Sequence, residues 1–157
     1  MTNNDIIRSI RYLLNISDAK IAEIYALGGL KVSIENVKNH LLKEDDPGYV
    51  NCSDEAMAPF LDGLIYLKRG RDPDRPPMRF EFPITNNIIL KKLRVAFELR
   101  EDDVLSLIGS GGNGYNLSRS ELNAFFRKND HPNYRLCGDQ VLRFFLKGLT
   151  QKLRPQQ

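Results

Sequence analysis

A chain of 157 residues is long enough to bury a core, as one domain or as two small ones. Its composition, 41% hydrophobic and 27% charged, excludes a disordered or fibrous class, and a net charge of +3 is too mild to demand a nucleic-acid partner. No apolar run approaches the roughly 18 residues of a bilayer span, and the opening MTNNDIIRS has no secretory pattern, so a cytoplasmic location with reduced thiols is expected.

The first predicted helix carries Ile6, Ile7, Ile10, Leu13 and Leu14, one apolar stripe at helical period, with Asn3 and Asn4 placed to cap it. A second starts near Ser17–Asp18 and carries Ile21, Ile24 and Tyr25. The third is expected to be capped by Ser33 and to bury Val37 and Leu41. After the loop KEDDPGYVNCSD comes a fourth, with Met57, Phe60, Leu61 and Leu64 on one face. Pro59 falls inside it and is expected to kink its axis.

The pattern then starts again. TNNDIIRSIRYLL at residues 2–14 matches TNNIILKKLRVAF at 85–97, an offset of 83 residues. The loop and fourth helix recur at an offset of 85, so that Lys43, Asp45, Pro47, Tyr49, Cys52 and Asp54 meet Lys128, Asp130, Pro132, Tyr134, Cys137 and Asp139. The two extra residues belong to the glycine-rich GSGGNGYN, read as a loop between helices. A duplicated fold follows: all-α, two tandem four-helix repeats packed with pseudo-two-fold symmetry, spanning residues 2–69 and 85–153. Residues 70–84 between them read as a Pro/Arg-rich linker, with a weak strand-like alternation in RFEFPI. The basic residues flanking Gly70 offer a place for something acidic to dock. Charge is uneven, since residues 1–80 hold 11 Lys+Arg against 12 Asp+Glu, and residues 81–157 hold 12 against 8.

The twice-written loop is the candidate site: Asp45, Pro47, Tyr49, Cys52 and Asp54, with Asp130, Pro132, Tyr134, Cys137 and Asp139. Each member has a structural role available. The prolines stop the third helix, the cysteines behave as small apolar groups, and the last aspartates sit where the fourth helix opens. A nucleophilic cysteine needs a base, and His131 of the second loop is replaced by Asp46 in the first. Neither a zinc spacing nor a calcium loop is present, so no catalytic, cofactor or metal residue is assigned and no cofactor is expected. Gly63 and Gly148 recur inside the fourth helices, which predicts a second helix passing close by.

Two motifs compete for a functional reading. GSGGNG at 109–114 spells a dinucleotide fingerprint, but it follows helical spacing where that site needs a strand. The second and third helices loosely resemble a helix-turn-helix, with Asn36, Lys38 and Asn39, or Arg119 and Asn123, as candidate nucleic-acid contacts. Glu35 and Glu121 weaken that reading. Taken together, NNDIIRSIRYLL, KEDDPGYVNCSD, FLDGLIYLKRG, NNIILKKLRVAF and CGDQVLRFFLKGL resemble the YehS-like family of bacterial proteins. The resemblance covers the chain from about residue 3 to 149 and implies a bacterial cytoplasmic protein with a domain of unknown function in two tandem copies; it brings no activity, cofactor or catalytic residue. The expectation is a non-enzymatic adaptor or regulator acting on a protein partner, with nucleic-acid binding through the helical hairpins as the alternative.

Overall fold

The computed structural model describes residues 1–154, which form eight α-helices and no strand. Contacts divide the chain into two compact units, Met1–Ile84 and the remainder from Thr85 onward. The first holds α1 (Asn3–Leu14), α2 (Asp18–Leu27), α3 (Ile34–Leu41) and α4 (Asp54–Arg69), and the second α5 (Asn86–Ala96), α6 (Glu101–Gly111), α7 (Arg119–Phe125) and α8 (Asp139–Leu153). The duplicated all-α fold is thus present, and the strand-like RFEFPI lies in irregular backbone. Among the described residues no helix is long and apolar enough to cross a membrane.

Helix starts are written locally. The hydroxyls of Thr2, Ser17, Ser33, Ser53, Thr85 and Ser118 each accept from a backbone N–H of the first turn, which satisfies donors that have no partner within the helix. The caps of α1 and α5 are therefore threonines. The asparagines expected there fall one and two residues inside the helices, free for another task. Both first helices end the same way, at left-handed Asn15 and Glu98 (φ 53° each), with Ile16 and Leu99 donating back to Arg11 and Arg94.

In the first unit Ile6, Ile7, Ile10 and Leu13 pack with Ile21, Ile24, Tyr25, Val37, Met57, Phe60, Leu61 and Leu64, all buried. Burial of Leu41 was expected, yet it is only half-buried, and its neighbour His40 takes the inward position. In the second unit Ile89, Leu90, Leu93, Val104, Leu107, Ile108, Leu122, Phe125, Leu142, Phe145, Leu146 and Leu149 make the corresponding core. The stretch GSGGNG is not all loop, because α6 runs through Gly111 before the chain turns. A polar sequence read as a linker can still complete a helical turn when the backbone it meets demands glycine.

That backbone belongs to the fourth helix of the unit. A Cβ on Gly63 would lie 1.8 Å from the carbonyl oxygen of Ile24 in α2, and one on Gly28 would lie 1.8 Å from that of Pro59 in α4. The second unit repeats the crossing, with Gly148 at 2.0 Å from the Leu107 oxygen and Gly111 at 1.9 Å from the Phe144 oxygen. Both pairs of helices meet backbone to backbone, and no side chain fits between them. Through this, α4 continues unbroken from Asp54 to Arg69 although Pro59 lies within it. Proline removes one helical donor but leaves intact the carbonyl that Gly28 approaches.

Substituting Gly63→Ala or Gly148→Ala should therefore destabilise the protein by at least about 2 kcal/mol, despite the better helix propensity of alanine. Urea denaturation of each variant measures it. A raised midpoint in both would show that the crossing has room.

Candidate functional site

The repeated loop is held by the two asparagines that do not cap. Asn4 is fully buried in α1; its Nδ2 donates to the carbonyls of His40 and Val50, both at 2.9 Å, and its Oδ1 accepts from the Cys52 N–H at 2.9 Å. Asn87 does the same in the second unit, donating to Phe125 (3.0 Å) and Arg135 (2.7 Å) and accepting from Cys137 (2.9 Å). Beside them Asn3 Nδ2 donates to the Cys52 carbonyl and to Asp54 Oδ1, and Asn86 donates to the Cys137 carbonyl and to Asp139 Oδ1. Four side chains on two first helices thus sew each loop to its own unit.

The backbone within the loops repeats as closely. Asp46 and His131 donate to Lys43 and Lys128, Tyr49 and Tyr134 donate to Asp46 and His131, and Val50 and Arg135 donate to Asn39 and Ala124, all between 2.9 and 3.2 Å. Asp45, Pro47, Asp130 and Pro132 stand exposed at the bend, and the rings of Tyr49 and Tyr134 are half-buried. Asp54 and Asp139 open α4 and α8, behind N-caps Ser53 and Gly138. The second oxygen of Asp54 accepts from the Ile84 N–H at 3.1 Å, which ties the end of the intervening segment back to the first unit.

The thiols are free and buried. Burial pushes Cys52 up to about 11 and Cys137 up to about 12, with the nearby charges of Asp54 and Asp139 acting in the same direction. At neutral pH both are thiols, which lack the nucleophilicity of thiolate. His131 spends its Nδ1 on the Asn133 N–H at 2.9 Å, and Asp46 accepts from the Lys43 N–H at 3.0 Å; both hold turns. Among the described residues no group of three or more His, Cys, Asp or Glu could hold a metal ion.

One polar cluster joins Cys52 to two residues outside the candidate set, Tyr25 and His40. The Tyr25 hydroxyl of α2 is 3.2 Å from His40 Nδ1 and 3.5 Å from Cys52 Sγ, in the dry interior of the first unit. The second unit puts Ile108 and Phe125 at the places of Tyr25 and His40. That paired exchange, polar for apolar at two positions of the repeat alignment, was the available signal. Loss of hydration pushes the Tyr25 hydroxyl up and holds His40 below the ordinary imidazole range. The hydroxyl and imidazole satisfy one another, as buried polar groups must. The cluster packs against Phe60 of α4, whose ring centroid is 5.4 Å from that of Tyr25, and all three of its residues are buried.

The candidate nucleic-acid contacts divide. Asn36, Lys38 and Asn123 are exposed, and Asn39 is half-buried, with its carbonyl taken by Val50. Arg119 is paired with Asp102 and lies 3.6 Å from Glu101, so two carboxylates of α6 compete with any phosphate for it. Basic residues are concentrated elsewhere. Where α4 ends, a depression of 570 Å³ is lined by Tyr66, Arg69, Arg71, Asp72, Arg75 and Met78, among others. The Met78 N–H donates to the Tyr66 hydroxyl at 3.4 Å, and the Arg71 guanidinium lies over the Tyr66 ring at 5.2 Å. From Lys68 to Arg79 the chain carries five Lys and Arg against two Asp, followed by the exposed rings of Phe80 and Phe82.

Two expectations follow from this geometry. Asn4→Asp keeps the shape but cannot donate to His40 and Val50, and it should cost about 2–4 kcal/mol, with Asn87→Asp costing a similar amount; denaturant titration is the check. His40 is held neutral in the folded state and is protonated more readily when unfolded. Its contribution to stability is therefore complete above about pH 6.5, declines as pH falls through that value, and stops declining below the lowered folded pKa. Melting the wild type and His40→Phe between pH 5 and 7.5 should show a smaller acid-side decline in the variant.

The family model described as "Protein of unknown function (DUF1456)" matches residues 3–70 and again 86–154. The chain is also 43% identical over 152 residues to "Uncharacterized protein YehS" of Escherichia coli, covering 97% of this chain and 96% of that protein. No solved structure matches. The chain belongs to this family of unknown function and carries its domain twice.

Proposed function

We propose that this protein is a non-enzymatic adaptor or regulator of the bacterial cytoplasm that acts by binding another protein. The observation that carries the reading is the segment from Lys68 to Phe82, which sets five cations beside the exposed aromatic rings of Phe80 and Phe82. Arginine and aromatic side chains are the residues that most often dominate the energy of protein interfaces. The repeated loop supports a non-enzymatic reading from the other side. Asp54, Asp139 and the backbone of both cysteines are held by asparagines of the first helices, and the thiols are protonated where a nucleophile would need to ionise. The helical hairpins are a poorer place for phosphates, because Arg119 already faces two carboxylates.

The test places a photo-crosslinking amino acid at Phe82 of the intact chain, with Tyr12 as an exposed control position in α1, and irradiates bacterial cells expressing it. One identified protein crosslinked at Phe82, absent at Tyr12 and competed by unlabelled protein, is the expected result. Adducts to nucleic acid alone, or no adduct above the control, would overturn the proposal.

A further inference from the structure

We infer that the depression at the end of α4 is a receptor for the carboxylate side chains of an acidic peptide segment; this rests on the protein-binding reading above and names the partner's chemistry. Three arginines, Arg69, Arg71 and Arg75, line a hollow of 570 Å³ together with Tyr66 and Met78. That volume lies within the range of about 300–1,000 Å³ typical of ligand sites. The end of α4 adds about half a negative charge and Asp72 adds one more, which the two charges of Arg71 and Arg75 outweigh.

All three arginines are exposed, and the site depends on Arg71 and Arg75, which follow the helix. Arg71 rests over the Tyr66 ring, its guanidinium carbon 5.2 Å from the ring centroid, and its side chain is exposed. Arg75 has Asp72 only at 3.9 Å, with both side chains largely in solvent, a pairing that contributes little in water. A carboxylate accepting a two-pronged bond from either guanidinium would make a stronger contact than those it displaces. The segment is also stiffened before it binds. Pro73, Pro76 and Pro77 restrict its backbone, and the bond from Met78 to the Tyr66 hydroxyl closes it onto the helix, which reduces the ordering cost of association.

Charge favours a peptide over a nucleic acid. A phosphate backbone gains its affinity by neutralising many cations along a track. Here three of the five cations line one hollow, and Asp72 and Asp74 interrupt the run in the sequence. Two or three carboxylates with apolar neighbours suit such a hollow, with Phe80 and Phe82 exposed a few residues further along the chain.

The experiment titrates the full chain with a fluorescent twelve-residue peptide of alternating Glu, Asp and Leu. The comparisons are the same peptide with Gln and Asn, and a single-stranded oligonucleotide of equal charge. Saturable binding of the acidic peptide is expected, weakened roughly tenfold or more by R71E or R75E and by moderate salt. Amide shifts should concentrate at residues 65–78. Circular dichroism confirms that these variants, changed only at exposed positions, stay folded. Equal binding of the neutral peptide, tighter binding of the oligonucleotide, or an unaffected R71E variant overturns the inference. If Phe82 still crosslinks a protein in the R71E and R75E variants, the hollow is not the receptor although the partner reading stands. If wild type crosslinks none, that reading falls first.

Discussion

Asn4 is a short polar side chain buried entirely within an apolar core, and it stays there because all three of its hydrogen-bonding demands are met by the backbone of one loop. An amide in this position cannot be exchanged for an apolar group without leaving two carbonyls and an N–H unpaired in a medium that penalises them. The loop in turn cannot move without breaking those bonds. Because His40, Val50 and Cys52 all answer to the same side chain, the end of α3, the bend and the start of α4 are fixed together against α1. Asn87 imposes the same constraint on Phe125, Arg135 and Cys137. Recurrence of the loop is therefore recurrence of a joint, and the cysteines are where they are because their backbone is needed there.

With the loop fixed, the fourth helix has one line of approach to the second, and glycine at the crossing lets the two backbones touch. The result in each unit is a core with little tolerance for rearrangement. The joint grips backbone, so side chains differ between the units even where it holds them, as at His40 and Phe125 or Val50 and Arg135. Tyr25 and His40 form a buried polar pair in one unit, and Ile108 and Phe125 replace them with hydrocarbon in the other. The pair makes the first unit more sensitive to acid without opening a route to its interior. The exposed arginines and aromatics belong to the segment that follows α4. That segment is tied to the first unit at Tyr66 and Asp54 and leaves most of its side chains exposed.

Much of this was legible in the residues. The duplication, the eight helices, the starts at Ser17, Ser33 and Ser118 and the close approach at Gly63 and Gly148 follow from spacing and from internal repetition, because each is a local preference. Asn3 and Asn4 were misassigned for a physical reason. Asparagine is equally at home as a cap and as a clamp, and Thr2 sits one residue earlier with a hydroxyl that does the capping. Leu41 was expected to be buried, yet His40 takes the inward place, since apolarity is a poor guide when a ring finds a hydroxyl partner in the interior.

Alone, the sequence determined that the chain is a helical unit written twice, since hydrophobic period and capping chemistry act over a few residues and need no partner. Tertiary structure decided which polar residues are structural. Only once α1 lies across the loop does an asparagine forty-eight residues from Cys52 become its hydrogen-bond acceptor, and only then do the thiols become buried and inert. It also gathered Arg69, Arg71 and Arg75 around a single hollow, because a segment of prolines folded back onto Tyr66 instead of extending away. Contacts between residues distant in the chain depend on the whole packed unit, and short-range pattern carries no record of them.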